Sequence, residues 1–461
     1  MRTSSPSKRT PSRLLVALSL GAAASLLISS CASQEEAGDT GSSSTLSADL
    51  TAAAKAEAGR IADGKKLSGT ISFIGENSGS EGDILKSVYK PFEDATGVKI
   101  NYTGSGDSNA LIQSRVTAGN PPDVVSTSTG VMSDYKKSHN LLNLSSFMES
   151  ELKENYPQSG LDSASIDGDV YGVYQGFNNY MMWVNPKTYS GPKEGSSWSD
   201  VVSWTEKEAA AGQPAWCNAQ GAGPSSGFPG ETMIEALFAK KYGPELTQDW
   251  ATGKLPWTSP QVKDAWQMYG ALMTKDANVA GGVTASLTQD IGVGSNGLVS
   301  NPPGCLADIW GSWTGGLVGS SSKDVKPGED LDFMTIPASD PRFEKTETYS
   351  AKAYYAFTDN EAVRAFMQYI ASTPAQTLLA SANHWTVSNM KVTTDTYTDP
   401  LLRKMAEKYF SKDVVLAVAP SNVGKDSVIQ GAYAGVIKYL QDPSQLDSIL
   451  QSIQNSQAAS S

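Results

Sequence analysis

Between Gly69 and Ser126 the sequence switches repeatedly between a two-residue and a helical period, and that alternation restricts the fold more than any other feature. Gly69–Ile74 alternates as a strand. Asp83–Thr96 then carries Ile84, Leu85, Val88 and Phe92 at helical spacing. Val98–Thr103 reads as a second strand, Asn109–Ala118 as a second helix ended by Gly119, and Pro122–Ser126 as a short third strand. Strands alternating with helices predict a parallel sheet, and such sheets hold ligands at the carboxyl ends of their strands. Three strand-end loops, Gly75–Gly82, Gly104–Ser108 and Ser126–Gly130, therefore become candidate ligand loops. All are rich in small, polar residues that can hydrogen-bond a polar solute.

Downstream, Asp167–Tyr174 reads as a tight hairpin and Asn179–Val184 as a strand. Ser199–Ala211 is a helix with a serine-type start. Helices dominate from Pro229 to Met273, with turns at Gly243-Pro244 and Ser259-Pro260. Leu306–Trp310, Leu331–Ile336 and Ala351–Phe357 read as strands, and beyond Asp359 almost everything is helical. The roughly 395 residues from Leu67 onward exceed what one hydrophobic core supports, so two domains are expected.

The N-terminus carries Arg2, Lys8, Arg9 and Arg13 without an acid, then an apolar run from Leu14 to Ile28. The run is too short for a permanent membrane span and has the length of a signal-peptide core. Lys8-Arg9 is not a twin-arginine pair. Ile28-Ser29-Ser30-Cys31 resembles the lipobox of bacterial lipoproteins, which implies that residues 1–30 are removed and that Cys31 is lipidated. Residues 31–66 open with the polar run QEEAGDTGSSST and are expected to form a flexible tether, with a short Ala-rich helix over Thr51–Ile61. The 36 Lys and Arg residues against 48 Asp and Glu leave a formal charge of −12, and losing the four basic residues of the leader makes it −16. That balance excludes a nucleic-acid partner, and it leaves the lipid as the expected contact with the membrane. Cys217 and Cys305 form an even pair without CxxC spacing, which in an exported protein reads as a disulfide. Metal ligation is the weaker rival, because two cysteines and two widely spaced histidines make a poor ligand set. No cofactor is expected.

Five segments together resemble the extracellular solute-binding proteins of carbohydrate importers, the maltose-binding-protein class. The most specific is PFEDATGVKINYTGSGDSNALIQSRVTAGNPPDVV, from Pro91 to Val125. DGDVYGVYQGFNNYMMWVN, SSWSDVV, CLADIWGSW and EAVRAFMQYIASTPAQTLLA follow in the family's order. PAWC, NPPGC and the intervening GFPGETMIEAL are similar to the α-glucoside branch. The resemblance implies an α/β, two-lobed periplasmic-binding-protein-like fold of type II, with three crossovers and a helix-rich C-terminus. Lobe one would hold 67–175 and 325–372, and lobe two 176–324 and 373–461. It also implies a monomeric binding protein on the outer face of the cell membrane that passes an oligosaccharide or disaccharide to ABC permease subunits. Two departures bear on the ligand. Phe228-Pro229-Gly230-Glu231-Thr232-Met233 stands where the branch has W-P-x-x-D-W, and an expected aromatic pair near the C-terminus is missing after Ala419-Pro420.

A sugar needs carboxylates and amides for its hydroxyl rim and a ring for its C–H face. The candidate contacts are Glu76, Asn77, Asp107, Thr127, Ser128, Asn178, Asn179, Phe228, Glu231, Trp313 and Trp385. Each has a plainer reading. Asp107 is equally suited to cap its helix, Glu231 to sit at a helix N-terminus, and Trp385 to pack at the third crossing. Trp310, inside its strand, reads as core, and His384 as structural. There is no G-x-S-x-G, HExxH or Walker sequence, so an enzyme is not expected. A glycoside hydrolase or a surface adhesin without transport are the rival readings. A polyol, amino sugar or glycosyl alcohol is the second choice of ligand.

Overall fold

The computed structural model describes residues 46–409 and 413–460. The leader and Cys31 lie outside the described residues. Helix α1 (Ala48–Ile61) comes first, and it is not part of a tether. Ala54 and Ala58 are fully buried, because their small side chains let α1 lie close against α2 (Gly79–Thr96). The folded body thus starts about twenty residues earlier than Leu67. The apolar stripe of α1, Leu50, Ala54, Ala58 and Ile61, is a weak signal, since alanine makes the closest contact.

The expected alternation is present as β1 (Thr70–Gly75), α2, β2 (Lys99–Gly104), α3 (Ser108–Thr117), β3 (Val124–Thr127) and α4 (Thr129–Lys136). β1 runs parallel to both β2 and β3. Gly97 closes α2 in the left-handed region (φ 86°), which lets the chain reverse directly into β2. Helices α5 (Ser145–Asn155) and α6 (Gln158–Ser163) precede a two-stranded hairpin, β4 (Ser165–Ile166) and β5 (Asp169–Val170). Strand β6 (Val173–Tyr174) then joins the first sheet.

At 175–177 the chain crosses to a second sheet. β7 (Asn178–Val184) pairs antiparallel with β8 (Ala307–Gly311), β9 (Asp332–Met334) and β10 (Thr346–Ser350). The excursion between β7 and β8 contains α7 (Trp198–Ala210), α8 (Phe228–Ala251), α9 (Pro260–Met273) and α10 (Gly282–Ser286). Short α11 (Thr314–Ser321) follows β8. A disulfide links Cys217 and Cys305, with 5.3 Å between their Cα atoms. The chain returns at Ser350-Ala351-Lys352, and β11 (Ala353–Ala356) pairs with β3 and β6. α12 (Glu361–Ala371) and α13 (Thr373–Ser381) pack on α1 and α2. A third crossing leads through α14 (Pro400–Tyr409) to β12 (Val415–Val418), α15 (Pro420–Val423), α16 (Asp426–Gln441) and α17 (Leu446–Ser460).

The sheets therefore run β2-β1-β3-β11-β6 and β12-β10-β7-β8, with β9 beside β7. Each is buried under its own helices in separate apolar clusters, one built around Phe73, Phe92 and Phe366 and the other around Trp216, Phe238 and Trp266. Pairing places β9 and β10 with the second sheet, although both fall within the 325–372 stretch assigned to lobe one from sequence. α13 belongs with the first, although it falls after residue 372. β10 and β12 were not foreseen. β10 reads TETYS and buries Glu347 at 2% exposure, so its pattern does not look like a core strand. That charge is matched by Lys240 of α8, also 2% exposed, at 2.7 Å.

Candidate ligand cavity

Both sheets aim chain ends at one cavity of about 290 Å³. From the first sheet comes Glu76, directly after β1, and from the second Asn178, the first residue of β7. The return crossing supplies Ser350, Ala351 and Lys352. Ser225 comes from the 3-10 turn before α8, Phe228 from the first position of α8, Trp313 from the turn after β8, Ser421 and Asn422 from α15, and Tyr433 from α16.

Its apolar wall is aromatic. Phe228 and Trp313 lie near parallel, 18° apart with centroids at 6.3 Å, and Tyr433 meets Phe228 edge-on at 5.7 Å. Trp310, 3% exposed, backs both rings at 5.3 and 5.1 Å, as a core residue. Two glycines make this cluster possible. A Cβ on Gly311 would lie 2.3 Å from the Trp313 ring. Gly227 adopts φ 97° at the start of α8, and a Cβ there would lie 2.0 Å from the carbonyl of Tyr433. Half-buried rings of this kind suit the C–H face of a sugar.

The rest of the lining is polar. Glu76 opens onto the cavity while protein crowds it. That desolvation raises its carboxyl above the ordinary value, with Lys352 opposing and Glu81 reinforcing the rise. The carboxamide of Asn178 accepts from the Ser312 hydroxyl at 3.3 Å. Asn422 is fixed on both sides: its Oδ1 accepts from the Ala351 N–H at 3.0 Å and its Nδ2 donates to the Tyr349 carbonyl. Ser421 gives its N–H and its hydroxyl to Glu235, each at 2.7 Å.

Of the residues singled out from sequence, Glu76, Asn178, Phe228 and Trp313 meet here. The others lie elsewhere. Asn77 donates to Glu81 at 2.8 Å and braces the loop beside Glu76. Asp107 is exposed at the start of α3 and makes no side-chain cap. Thr127 is buried against Asn109 at 2.8 Å, and buried Ser128 precedes α4. Asn179 is 2% exposed inside the second sheet, and Glu231 is 1% exposed behind the cavity wall. Trp385 packs partly buried on the first lobe's core, against His384 at 4.3 Å, while His384 contacts Glu81 at 2.8 Å. Sequence reasoning missed Ser225, Ser350, Ala351, Lys352, Ser421, Asn422 and Tyr433. Tyr433 supplies a ring where the C-terminal aromatic pair looked absent. Its only signal was a lone aromatic among the small residues of QGAYAGV.

A larger cavity, about 360 Å³, lies beyond α15. Its two indoles, Trp250 and Trp257, are each only 1% exposed and present little ring to a ligand. Among the described residues no cluster of three or more metal-binding side chains occurs, and no helix is long and apolar enough to cross a membrane.

Two α/β lobes, three crossings and an aromatic-and-amide cavity fed by both sheets give the architecture of a two-lobed solute-binding protein. The chain belongs to the bacterial extracellular solute-binding protein family, whose model matches residues 87–403. It is 23% identical over 376 residues to the osmoprotective compounds-binding protein GgtB of Synechocystis sp., covering 80% of this chain and 88% of that one. It is 27% identical over 351 residues to the alpha-glucosides-binding periplasmic protein AglE of Rhizobium meliloti, covering 73% and 76%. Among solved structures it resembles a chitin oligosaccharide binding protein, with a TM-score of 0.70, 19% identity, and coverage of 86% and 99%. It also resembles the maltose/maltodextrin-binding domain MalE of Bdellovibrio bacteriovorus bound to maltotriose, with a TM-score of 0.62, 16% identity, and coverage of 85% and 99%.

Proposed function

We propose that this protein captures a small sugar between its lobes and delivers it to the permease of an ABC importer, held to the outer face of the membrane by a lipid on Cys31. The observation that carries the reading is the cavity itself. Aromatic rings of the second lobe line it together with the Glu76 carboxylate of the first lobe, the Lys352 ammonium of the return crossing and the Asn178 and Asn422 amides. A sugar presents one C–H face and a rim of hydroxyls, so it satisfies both walls at once.

Ligand contacts made across the crossings are stronger in the closed form than in the open one, and that difference drives closure. We assign lobe one to 46–175 and 353–397, and lobe two to 176–352, 400–409 and 413–460, following the strand pairing. At about 290 Å³ the cavity is at the small end of ligand sites. A disaccharide, α-glucoside-like, fits this reading best. A glycosyl alcohol is the second choice, and the likeness to a protein named for osmoprotective compounds favours carrying it.

Isothermal titration of the purified protein with maltose, trehalose, sucrose and glucosylglycerol tests the proposal, with product analysis after long incubation. Binding of at least one, with no turnover, is the expected result. Silence toward all four removes the small-glucoside reading, and released monosaccharide removes the transport reading in favour of hydrolysis. Uptake by cells with and without the gene separates an importer subunit from an adhesin.

A further inference from the structure

Behind the cavity wall α8 buries two carboxyl groups one helical turn apart. Glu231 is 1% exposed and Glu235 is fully buried. Their four-residue spacing puts both on one face of the helix. Among the described residues, no hydrogen-bond donor reaches either oxygen of Glu231. Glu235 has two donors, the N–H and hydroxyl of Ser421. Ser421 and its neighbour Asn422 both line the cavity.

Among the described residues, no cation acts on either carboxyl. The ionisable groups facing the pair from the packed elements are phenols: Tyr180 of β7, Tyr433 of α16, and Tyr269 of α9, which lies against Gly230. Asp308 of β8 borders a small cavity beside Pro229 and Met233 and is bonded to Ser295. Lys240, farther along α8, is committed to Glu347 of β10. Beyond it, the exposed Arg342 is paired with Asp340. β12 and α15 carry no ionisable side chain.

Two bare carboxylates cannot sit side by side in such a place. A single proton resolves the conflict, because a protonated Glu231 becomes the donor that a carboxylate pair lacks. Burial raises both groups. Glu231 rises further, since Glu235 repels its charge while Ser421 stabilises that of Glu235.

We propose that Glu231 and Glu235 share one proton, and that the pair positions the ligand-facing wall: Glu231 donates to Glu235, and Glu235 holds Ser421 and with it Asn422. This rests on the reading of the cavity as the ligand site. Loss of the shared proton puts two like charges behind the wall and loosens it, so ligand capture weakens in alkaline solution.

Two measurements on the full chain test this. The first needs no ligand: the infrared difference spectrum between wild type and Glu231→Gln at neutral pH. It should contain the band of an un-ionised carboxyl group, and in wild type alone that band should fade on raising the pH. The second is the affinity for whichever of maltose, trehalose or sucrose binds, followed from mildly acid to alkaline pH. Wild type should lose about tenfold in affinity as the band fades. Glu231→Gln, with a permanent donor, should flatten that loss, and Glu235→Gln should weaken binding about tenfold at every pH. A group with a merely structural role would not move the pH profile. Absence of the band at neutral pH, or an unaltered alkaline loss in Glu231→Gln, overturns the proposal. If neither these sugars nor glucosylglycerol binds, the small-glucoside reading falls, while the wild-type band and its alkaline fading still decide whether the proton is shared.

Discussion

Replacing Lys240 by Met tests how the second lobe holds the strand that reaches the cavity. Lys240 and Glu347 are each 2% exposed, and the ammonium donates to the Glu347 carboxylate and to the Glu344 carbonyl, both at 2.7 Å. The pair fastens α8 to β10, three residues before Ser350 enters the cavity wall. Removing one partner of a buried pair leaves an uncompensated charge and costs roughly 3–5 kcal/mol, whereas replacing both by apolar groups of similar volume is often close to neutral. Urea unfolding should therefore show Lys240→Met losing about 3–5 kcal/mol near pH 8, and Lys240→Met with Glu347→Leu losing much less. The pH dependence gives an independent sign. The Glu347 carboxyl, already raised by burial to about 7, rises further once the opposing charge and hydrogen bond of Lys240 are gone, and a group raised in the folded state contributes stability below its unfolded value that is lost as pH rises through the folded one. The single mutant should thus be least impaired below about pH 4.5 and most impaired in alkaline solution. Equal losses in the single and double mutants, or a single-mutant cost that does not grow with pH, would falsify the claim that an unpaired buried carboxylate is the source of the damage.

Trp313→Ala should weaken binding of a recognised sugar by about 1–3 kcal/mol with an unchanged melting curve, and unaltered affinity in titration calorimetry would place Trp313 outside the contact surface. Asp308, pushed by burial to about 7 from an ordinary 3.8, stabilises the fold only below the latter value and loses that contribution as pH climbs through 7. The rise corresponds to roughly 4 kcal/mol, so Asp308→Asn should visibly flatten the decline of stability between about pH 4 and pH 8; an unchanged slope would show that the carboxyl is not perturbed. Gly227→Ala forces a side chain into φ 97° and against the Tyr433 carbonyl. It should lower the melting temperature and weaken sugar binding together, because Tyr433 moves with α16, and a variant that keeps full affinity would detach that ring from the site.

What the sequence discloses about this site follows from how each wall is built. Trp313 and Phe228 stand at turns bounded by recognisable local signals, a strand ending in Gly311 and a proline-opened helix, so their positions can be read before any tertiary contact is known. Glu76 follows from the rule that strand ends of a parallel sheet face the ligand. The same rule also pointed to Asp107, Thr127 and Ser128, which do not line this cavity, because β1 alone points its end into it while the space beyond β3 is closed by α15. There a Cβ on Gly130 would lie 2.5 Å from the carbonyls of Val423 and Gly424. Lys352, Ser350 and Asn422 were invisible for a different reason. They are cavity residues only because the chain crosses between sheets at 350–352 and because Asn422 clamps that crossing through Ala351 and Tyr349. No local period encodes such a crossing. β10 carries a buried charge whose partner is 107 positions away, and α1 makes its closest contacts through alanines, which a search for large apolar side chains passes over. Local sequence therefore specifies the two sheets and the rings attached to them. The polar half of the cavity arises from long-range closure, and that same half, in Ser421, Asn422 and the acid pair behind them, is where ligand preference will be decided.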